Sequence, residues 1–316
     1  MSDRPVSGGV RYLLVDDEAG QRLDNFLFAQ FRNLPRSRVY RMVRGGEVRI
    51  NGGRAKFHTR LHRGDKIRLP PVRLPAAQSP PTELPEGLAA RLEAAIVEER
   101  DDLLVINKPS GLAVHGGSGV SWGLIEALRV LRGPKLELVH RLDRETSGVL
   151  LVAKKRSALK LWQQAFRPES RTTQKRYLAL VDGPWPRRVV RVQEPLLRFA
   201  TQTGERRVRV DPSGKPAHTK FEVLHESTAA TLVQATLKTG RTHQIRVHAA
   251  SRGHPVLGDD KYGSAAADLR GKGLGVPRLA LHAAQLRVTG SELTGDFVAP
   301  VPDDLRELFA KVGYRP

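Results

Sequence analysis

The segment LVHRLDRETSGVLLVAKK, residues 138–155, joins a charged loop to a strongly apolar run. The apolar part, residues 149–152, is short and bounded by Gly148 and two lysines, so it predicts a buried β-strand. Just upstream, Asp143 lies between Arg141 and Arg144 on a loop that ends in a turn signal. A charged loop on a rigid scaffold often carries chemistry, although a lone acid beside arginine is more often part of a structural ion pair.

Composition limits the kinds of chemistry that the chain can perform. Its 316 residues suffice for two or three domains with sizeable cores. Cysteine is absent, which excludes disulfides, thiol nucleophiles and Cys-ligated zinc and suits a reducing compartment. The N-terminus has no apolar core of signal-peptide length, and no run approaches the roughly 20 apolar residues of a membrane span. We therefore expect a cytoplasmic protein.

The net charge points to a polyanionic partner. The formal charge is +20 and the pI about 10.8. Each phosphate that a Lys or Arg neutralises releases counterions, so nucleic acid is the first expectation and an acidic membrane surface the rival. Hydrophobic residues make up 40% of the chain, which argues for a folded protein rather than a disordered basic tail.

Half of this charge is concentrated in residues 20–68, where 13 Lys and Arg oppose three acids, a net +10. Apolar residues at near-helical spacing predict a first helix before Pro35, and a second helix ends at Gly45-Gly46. We expect the second helix to bury its apolar side and to turn four arginines outward against a phosphate backbone, although charge runs are often only solvated faces. These arginines are Arg36, Arg38, Arg41 and Arg44.

This N-terminal segment resembles the S-four-like (alpha-L) RNA-binding domain. The resemblance lies in RLDNFL (residues 22–27), PRSRVYRMVRGGEVRING (35–52) and LHRGDKI (61–67). It implies binding to structured RNA rather than catalysis.

A proline-rich stretch separates this module from the rest of the chain. Six prolines between residues 70 and 85 cannot continue a helix or a central strand, so the stretch is typical of a semi-rigid linker. We predict an RNA-binding domain with a leading strand at residues 1–69, a linker at 70–93 and a catalytic domain at 94–316. In the last of these, many strand patterns with few helices between them favour an α+β fold with a mostly antiparallel mixed sheet.

Several catalytic arrangements can be set aside. Zinc-dependent base deaminases need Cys ligands, and His243 and His248 do not form an HExxH pair. HRLD lacks the other kinase motifs, and no GxSxG elbow or Gly-Lys-Ser/Thr phosphate loop is present. A retaining glycosidase needs two carboxylates, and we expect Glu145 to point away from Asp143. One acid, many arginines and an RNA-binding module remain, which suits nucleophilic or proton-abstracting work at a sugar or base.

The larger segment resembles pseudouridine synthases of the RluA/RluC/RluD family, and within it the branch that modifies large-subunit ribosomal RNA. The matching motifs are NKPSGLAVHGG (residues 107–117), HRLDRETSGVLLVAKK (140–155), KRYLALV (175–181), GRTHQIRVH (240–248), GDDKYG (258–263) and LHAAQL (281–286). The resemblance implies an isomerase that converts specific uridines of 23S ribosomal RNA to pseudouridine. The alternatives are the same chemistry on another RNA, or a non-catalytic ribosome-assembly factor.

The resemblance also implies roles for individual residues. Asp143 would be the catalytic acid, kept ionised by a salt bridge to Arg246. Whether Asp143 adds to the anomeric carbon or removes the 2′ proton stays open. Tyr177 would stack on the flipped uracil, Ile245 would close the apolar wall of the pocket, and Arg141 would fill the vacated place in the base stack; without the resemblance, Tyr177 and Ile245 would be taken as ordinary core residues. No metal or organic cofactor is implied, and we expect a monomer that binds large-subunit ribosomal RNA and no membrane.

Overall fold

A computed structural model describes residues 9–16, 18–31, 34–72, 84–116, 122–167, 170, 172–290 and 293–314. The chain divides into two compact units, Met1–Glu83 and Leu84–Pro316. Much of the predicted linker, including Pro75, Pro80 and Pro81, lies outside the described residues, as does Gly117 of the NKPSGLAVHGG motif.

The first unit is two helices packed on a small antiparallel sheet. The sheet has the strand order β1-β4-β2-β3. The second helix follows the sequence pattern, because Val39, Met42 and Val43 are buried while Arg41 and Arg44 are exposed. The elements are β1 (Arg11–Leu14), α1 (Leu23–Gln30), α2 (Arg36–Arg44), β2 (Arg49–Ile50), β3 (Gly53–Arg54) and β4 (Lys66–Leu69).

The second unit is built around a sheet of ten strands. The main path runs β10-β13-β14-β9-β15-β8-β6-β5, and β16 and β7 add to β15 and β8. The strands are β5 (Ile96–Glu99), β6 (Leu103–Lys108), β7 (Glu137–Leu138), β8 (Ser147–Ala153), β9 (Thr173–Asp182), β10 (Arg191–Val192), β11 (Leu196–Ala200), β12 (Arg206–Val210), β13 (Thr219–Glu226), β14 (Ala230–Leu237), β15 (Leu281–Thr289) and β16 (Thr294–Val298). The helices are α3 (Leu88–Ala94), α4 (Leu124–Arg132), α5 (Arg156–Ala165), α6 (Gln244–Ala250), α7 (Ala265–Leu274) and α8 (Asp303–Lys311).

Strand pairing in this sheet is antiparallel except between β15 and β8, among the described residues. The predicted α+β fold with a mostly antiparallel mixed sheet is therefore confirmed. β11 and β12 form a separate two-stranded hairpin.

The predicted linker extends too far at its C-terminal end. Residues 88–93 belong to α3, and Leu92 on that helix is fully buried in the core of the second unit, where Leu84 and Leu88 also pack. Leucines at positions 84, 88 and 92 have the i, i+4 spacing of one helix face, which the neighbouring prolines obscured.

The strand predicted at residues 149–152 is the middle of β8, and every residue of β8 is buried. Gly148 at its start is required by a close approach of two backbones. Its φ is +118°, and a Cβ at this position would lie 2.2 Å from the carbonyl oxygen of Ala283 on β15. Only glycine allows both the backbone conformation and this contact, so the end of the Asp143 loop is held against β15.

No helix in the described part of the chain is both long enough and apolar enough to cross a membrane.

Candidate active site

A cavity of about 240 Å³ opens where the Asp143 loop meets the start of α6. The residues predicted to act on a nucleotide in the second unit all line it: Arg141, Asp143, Tyr177, Ile245 and Arg246. They come from three separate parts of the chain, and the sheet and α6 bring them together. The other lining residues are His140, Leu142, Thr146, Lys175, Arg198, Leu237, Gly240, Arg241, Thr242, His243, Gln244 and Leu281.

The end of β6 and the segment that follows it hold the Asp143 loop through hydrogen bonds to its backbone. Lys108 is fully buried, and its Nζ donates hydrogen bonds to the carbonyl oxygens of Pro109, Leu112 and Arg144 at 2.8–2.9 Å. Ser110 Oγ donates to the carbonyl oxygen of Glu145. Burial lowers the pKa of Lys108 to about 7. The NKPSG sequence therefore holds the loop that carries Asp143, and it does not form a phosphate-binding turn.

Tyr177 supplies an aromatic ring to the cavity. It lies on β9 opposite Ala235 of β14, and on its other side β15 carries an irregularity between His282 and Gln285. Bulges of this kind re-aim side chains and are common next to active sites. Burial, and secondarily the charge of Asp143, raises the pKa of the Tyr177 hydroxyl, so the phenol stays neutral at physiological pH.

An apolar wall faces this ring. Ile245 is only 4% exposed, and Leu237 and Leu281 line the same cavity. The cavity thus combines one carboxylate with an aromatic ring and aliphatic side chains, a surface suited to a flat heterocycle beside a polar sugar.

The expected salt bridge between Asp143 and Arg246 is not present. Arg246 is 2% exposed, and its guanidinium donates to both carboxylate oxygens of Asp259, at 2.7 and 2.5 Å, and to Asp260 at 3.3 Å. No N–O distance of 4 Å or less joins the two predicted partners, both of which the structure describes. A buried guanidinium is costly unless a carboxylate is at hydrogen-bond distance. Asp259 is the carboxylate that pairs with Arg246 in this way, in place of Asp143. The Asp143 carboxylate still raises the pKa of Arg246, after the stronger effect of Asp259.

The nearest ionisable nitrogen to Asp143 belongs to a residue that we had not selected. Nε2 of His243 lies 3.9 Å from Oδ2 of Asp143. Nδ1 of the same ring is 2.7 Å from the hydroxyl of Tyr262, which in turn accepts a hydrogen bond from the backbone N–H of Val208 at 3.0 Å. The guanidinium of Arg246 stacks over the Tyr262 ring at 5.1 Å.

The rim of the cavity is basic. Arg141 is exposed, and Lys175 reaches the cavity from β9, where burial lowers its pKa to about 8. His140 stacks on Phe166 at 4.8 Å, and burial, with a smaller effect of Lys175, lowers its pKa to about 3. Nε2 of His140 accepts a hydrogen bond from the backbone N–H of Leu151, which fixes the loop to β8.

The β11–β12 hairpin contributes a further arginine. Arg198 lines the cavity and donates to the hydroxyl of Thr242. The sequence suggested no catalytic or substrate-binding role for Arg198, Asp259 or Tyr262, and His243 was considered only to be set aside as a metal ligand. The last three lie inside the motifs GRTHQIRVH and GDDKYG, so the motifs marked the region without assigning these residues a role.

The arginines predicted to contact phosphate lie on α2 in the first unit. Arg41 and Arg44 are exposed, Arg38 forms a bidentate ion pair with Glu47 at 3.1 and 3.2 Å, and Arg36 lies 5.0 Å from the ring centre of Phe28. Arg36 and Arg38 are thus partly engaged within the protein, whereas Arg41 and Arg44 form no ion pair with any residue that the structure describes.

No group of three or more His, Asp or Glu side chains within the described ranges is arranged to hold a metal ion.

Comparisons with known proteins show the family of both parts of the chain. The RNA pseudouridylate synthase family matches residues 102–251, and the S4 domain family matches residues 21–67. The chain is 46% identical over 316 residues to ribosomal large subunit pseudouridine synthase C of Haemophilus ducreyi, covering 98% of each chain. It is 51% identical over 295 residues to the protein of the same name from Yersinia pestis, covering 92% of this chain and 91% of that one. Among solved structures, human RNA pseudouridylate synthase domain containing 1 is 29% identical, with a TM-score of 0.58 over 72% of this chain and 90% of that one.

Proposed function

Because the chain belongs to the family of ribosomal large subunit pseudouridine synthases, and is thus an isomerase, we propose that it converts specific uridines of 23S ribosomal RNA to pseudouridine. The observation that carries this proposal is the single cavity that Asp143, Tyr177 and Ile245 line together. The two relatives are named as pseudouridine synthases of the ribosomal large subunit. An S4 domain and a net charge of +20 likewise favour an RNA substrate.

Asp143 is the catalytic acid of the proposed reaction. The N-glycosidic bond between ribose and uracil breaks, the uracil rotates within the cavity, and carbon 5 forms a bond to the anomeric carbon. Carbon 5 then loses its hydrogen as a proton and N1 takes up a proton, so the product is an isomer of the substrate. The carboxylate acts either by adding to the anomeric carbon or by removing the 2′ proton, and both routes need its ionised form. Arg246 and Lys175 line the same cavity as this carboxylate.

The remaining cavity residues hold the base and the RNA. Tyr177 stacks on the extruded uracil, since a buried aromatic face accepts any flat base. Ile245 closes the apolar wall. Arg141 is exposed at the rim, where its planar guanidinium can occupy the place that the base leaves in the stack.

The first unit supplies affinity for the RNA rather than chemistry. Arg41 and Arg44 are exposed on α2 and contact phosphates, while Arg36 and Arg38 contribute after partial release from Phe28 and Glu47.

The protein acts as a monomer in the cytoplasm.

The decisive experiment replaces Asp143 with Asn and assays modification of 23S ribosomal RNA. Pseudouridines are mapped in the RNA of cells that lack the gene and carry either the original chain or the variant. We expect Asp143→Asn to bind the RNA normally and to form no pseudouridine, because an amide cannot act as nucleophile or base. A matched control, Glu222→Gln, removes an exposed acid from β13 and should leave modification unchanged.

Pseudouridine formed by the Asp143→Asn variant at the original sites would overturn the proposed mechanism. Sites lost from a different RNA, with 23S ribosomal RNA unaffected, would overturn the proposed target and leave the chemistry standing.

A further inference from the structure

We propose that His243 is a positioning residue that donates its Nε2 hydrogen to the Asp143 carboxylate and thereby orients that carboxylate toward the ribose. The inference deepens the proposed function and rests on the catalytic role of Asp143. It concerns the residue that performs the task first expected of Arg246, whose guanidinium is occupied by Asp259 and Asp260.

The hydrogen bonds around Tyr262 determine which ring nitrogen of His243 carries the proton. The Tyr262 hydroxyl accepts from the N–H of Val208, and within the described part of the chain its single proton has one acceptor at hydrogen-bond distance, Nδ1 of His243 at 2.7 Å. Because Nδ1 accepts, the neutral imidazole carries its hydrogen on Nε2. That nitrogen is the one that faces Oδ2 of Asp143.

Burial favours the neutral form of the His243 ring. Burial is the main cause that lowers the pKa of His243, with Arg246 and Lys261 acting in the same direction and Asp143 and Asp259 opposing them. A neutral donor suits this position, because a third cation beside Arg246 and Lys261 would bind Asp143 as a closed ion pair and weaken its attack on ribose.

The backbone of His243 aims the ring. His243 precedes the first residue of α6 and has φ 52° and ψ 21°, a left-handed conformation that few non-glycine residues adopt. The 3.9 Å between Nε2 and Oδ2 is about 1 Å longer than a hydrogen bond. Catalytic hydrogen bonds in free enzymes are often long and shorten in the substrate complex, so a small rotation of the carboxylate completes the contact when ribose enters.

Two substitutions separate a hydrogen-bonding role from a purely structural one. His243→Gln places an amide N–H near the position of Nε2, but glutamine adopts the left-handed conformation poorly. His243→Asn suits the left-handed backbone, but its shorter side chain cannot reach Asp143. If His243 positions Asp143, we expect kcat of the Gln variant to stay within about fivefold of the original chain and kcat of the Asn variant to fall on the order of 100-fold.

The assay is multiple-turnover pseudouridine formation by the full chain on saturating 23S ribosomal RNA fragments, which gives kcat, with the RNA Kd measured in parallel. We expect Kd to change less than about twofold in both variants, so that the loss appears in kcat alone. The acidic limb of the pH–rate profile should move to higher pH in the Asn variant and stay in place in the Gln variant, because a hydrogen bond to the charged form favours that form. Equal kcat for both variants, or a faster Asn than Gln variant, would overturn the proposal.

A second variant tests the proton assignment without altering His243. Tyr262→Phe removes the donor to Nδ1, so we expect the hydrogen of the neutral ring to distribute between the two nitrogens and kcat to fall several-fold at unchanged Kd. The ¹⁵N spectrum of histidine-labelled protein should show His243 with hydrogen on Nε2 in the original chain; hydrogen on Nδ1 would refute the assignment. The outcome is separable from the proposed function: Asp143→Asn tests the reaction itself, and retention of full activity by both His243 variants would remove only the inference about His243.

Discussion

The guanidinium of Arg246 and the carboxylate of Asp259 form a bidentate ion pair in which both side chains are almost completely buried, 3% and 0% exposed. Asp259 also accepts hydrogen bonds from the backbone N–H groups of Lys261 and Tyr262 at 2.9 and 3.0 Å. One buried carboxylate thus fixes a cavity arginine and the loop that carries Tyr262.

Replacing Asp259 with Asn should destabilise the protein by roughly 3–5 kcal/mol, because it leaves the buried guanidinium of Arg246 without a counter-charge. All three tryptophans of the chain, Trp122, Trp162 and Trp185, lie in the second unit, so denaturant unfolding followed by their fluorescence measures this unit alone. The matched control is Asp296→Asn, which removes a carboxylate paired with Arg287 at the surface and should cost about 1 kcal/mol or less. Equal losses for the two variants would contradict the assigned importance of the buried pair.

Introducing a side chain at Gly148 should weaken the junction between β8 and β15. Gly148→Ala combines an unfavourable φ of +118° with a Cβ 2.2 Å from a backbone oxygen, so we expect a loss of more than about 3 kcal/mol by the same fluorescence measurement. Gly253→Ala is the control, since Gly253 has φ +81° but open space around its Cβ position, and conformation alone should cost about 1–2 kcal/mol. A smaller loss for Gly148→Ala than for the control would show that β15 gives way easily.

Acid should destabilise the second unit partly through His282. Its Nδ1 accepts from Ser147 Oγ and its Nε2 donates to the carbonyl oxygen of Ala299, at 3.0 and 3.1 Å, and burial lowers its pKa from 6.5 to about 4. Between these values the unfolded chain binds a proton that the folded chain does not. The free energy of unfolding should therefore fall as the pH drops from about 6.5 to about 4, by up to roughly 1.4 kcal/mol per pH unit from this residue.

The measurement compares unfolding free energies at several pH values for the original chain and His282→Asn. The variant is less stable at pH 7 because it lacks the two hydrogen bonds, but its stability should decline less steeply toward pH 4. Parallel pH profiles for the two proteins would exclude His282 as the source of the effect.

Removing two charges from α2 should weaken RNA binding and its dependence on salt, because fewer counterions are released from the RNA phosphates on binding. Arg41 and Arg44 are exposed, and among the described residues neither forms an ion pair, so Arg41→Gln/Arg44→Gln should lower the slope of log K against log salt by roughly 2. The charge-matched control Arg306→Gln/Lys311→Gln alters α8 and should leave the slope nearly unchanged. The expectation fails if both double variants change the slope equally.

Local patterns in the sequence predicted much of the secondary structure. The near-helical spacing of apolar residues before Pro35 predicted α1, which spans Leu23–Gln30, and the apolar run at 149–152 predicted β8. Helix α7 (Ala265–Leu274) was not predicted, because it contains two glycines and has no apolar stripe. It is held instead by the Ser264 side chain, which accepts from the backbone N–H of Ala267 at 3.2 Å, and by tertiary packing.

At the site, too, the sequence indicated which residues matter but not which tertiary contacts they make. The resemblance to known motifs selected five residues that the structure brings to one cavity, but their individual roles stay predictions. Sequence could not tell which acid would bind Arg246, because that depends on how closely two distant segments approach. Gly258, which directly precedes Asp259, has φ +75°, and a Cβ there would lie 2.2 Å from the carbonyl oxygen of Arg278, so this backbone position requires glycine. The tautomer of His243 likewise depends on Tyr262 and Val208, which are remote from it in sequence.

The hydrogen bonds that the structure describes for the buried Nζ of Lys108 all go to main-chain oxygens, those of Pro109, Leu112 and Arg144. Every amino acid offers such an oxygen, so the anchorage is indifferent to the side chains displayed at positions 112 and 144. The side chains at these two positions can therefore change to suit other RNA shapes while the hydrogen bonds that hold the Asp143 loop are kept. Recognition and the position of the acid can thus vary independently of each other.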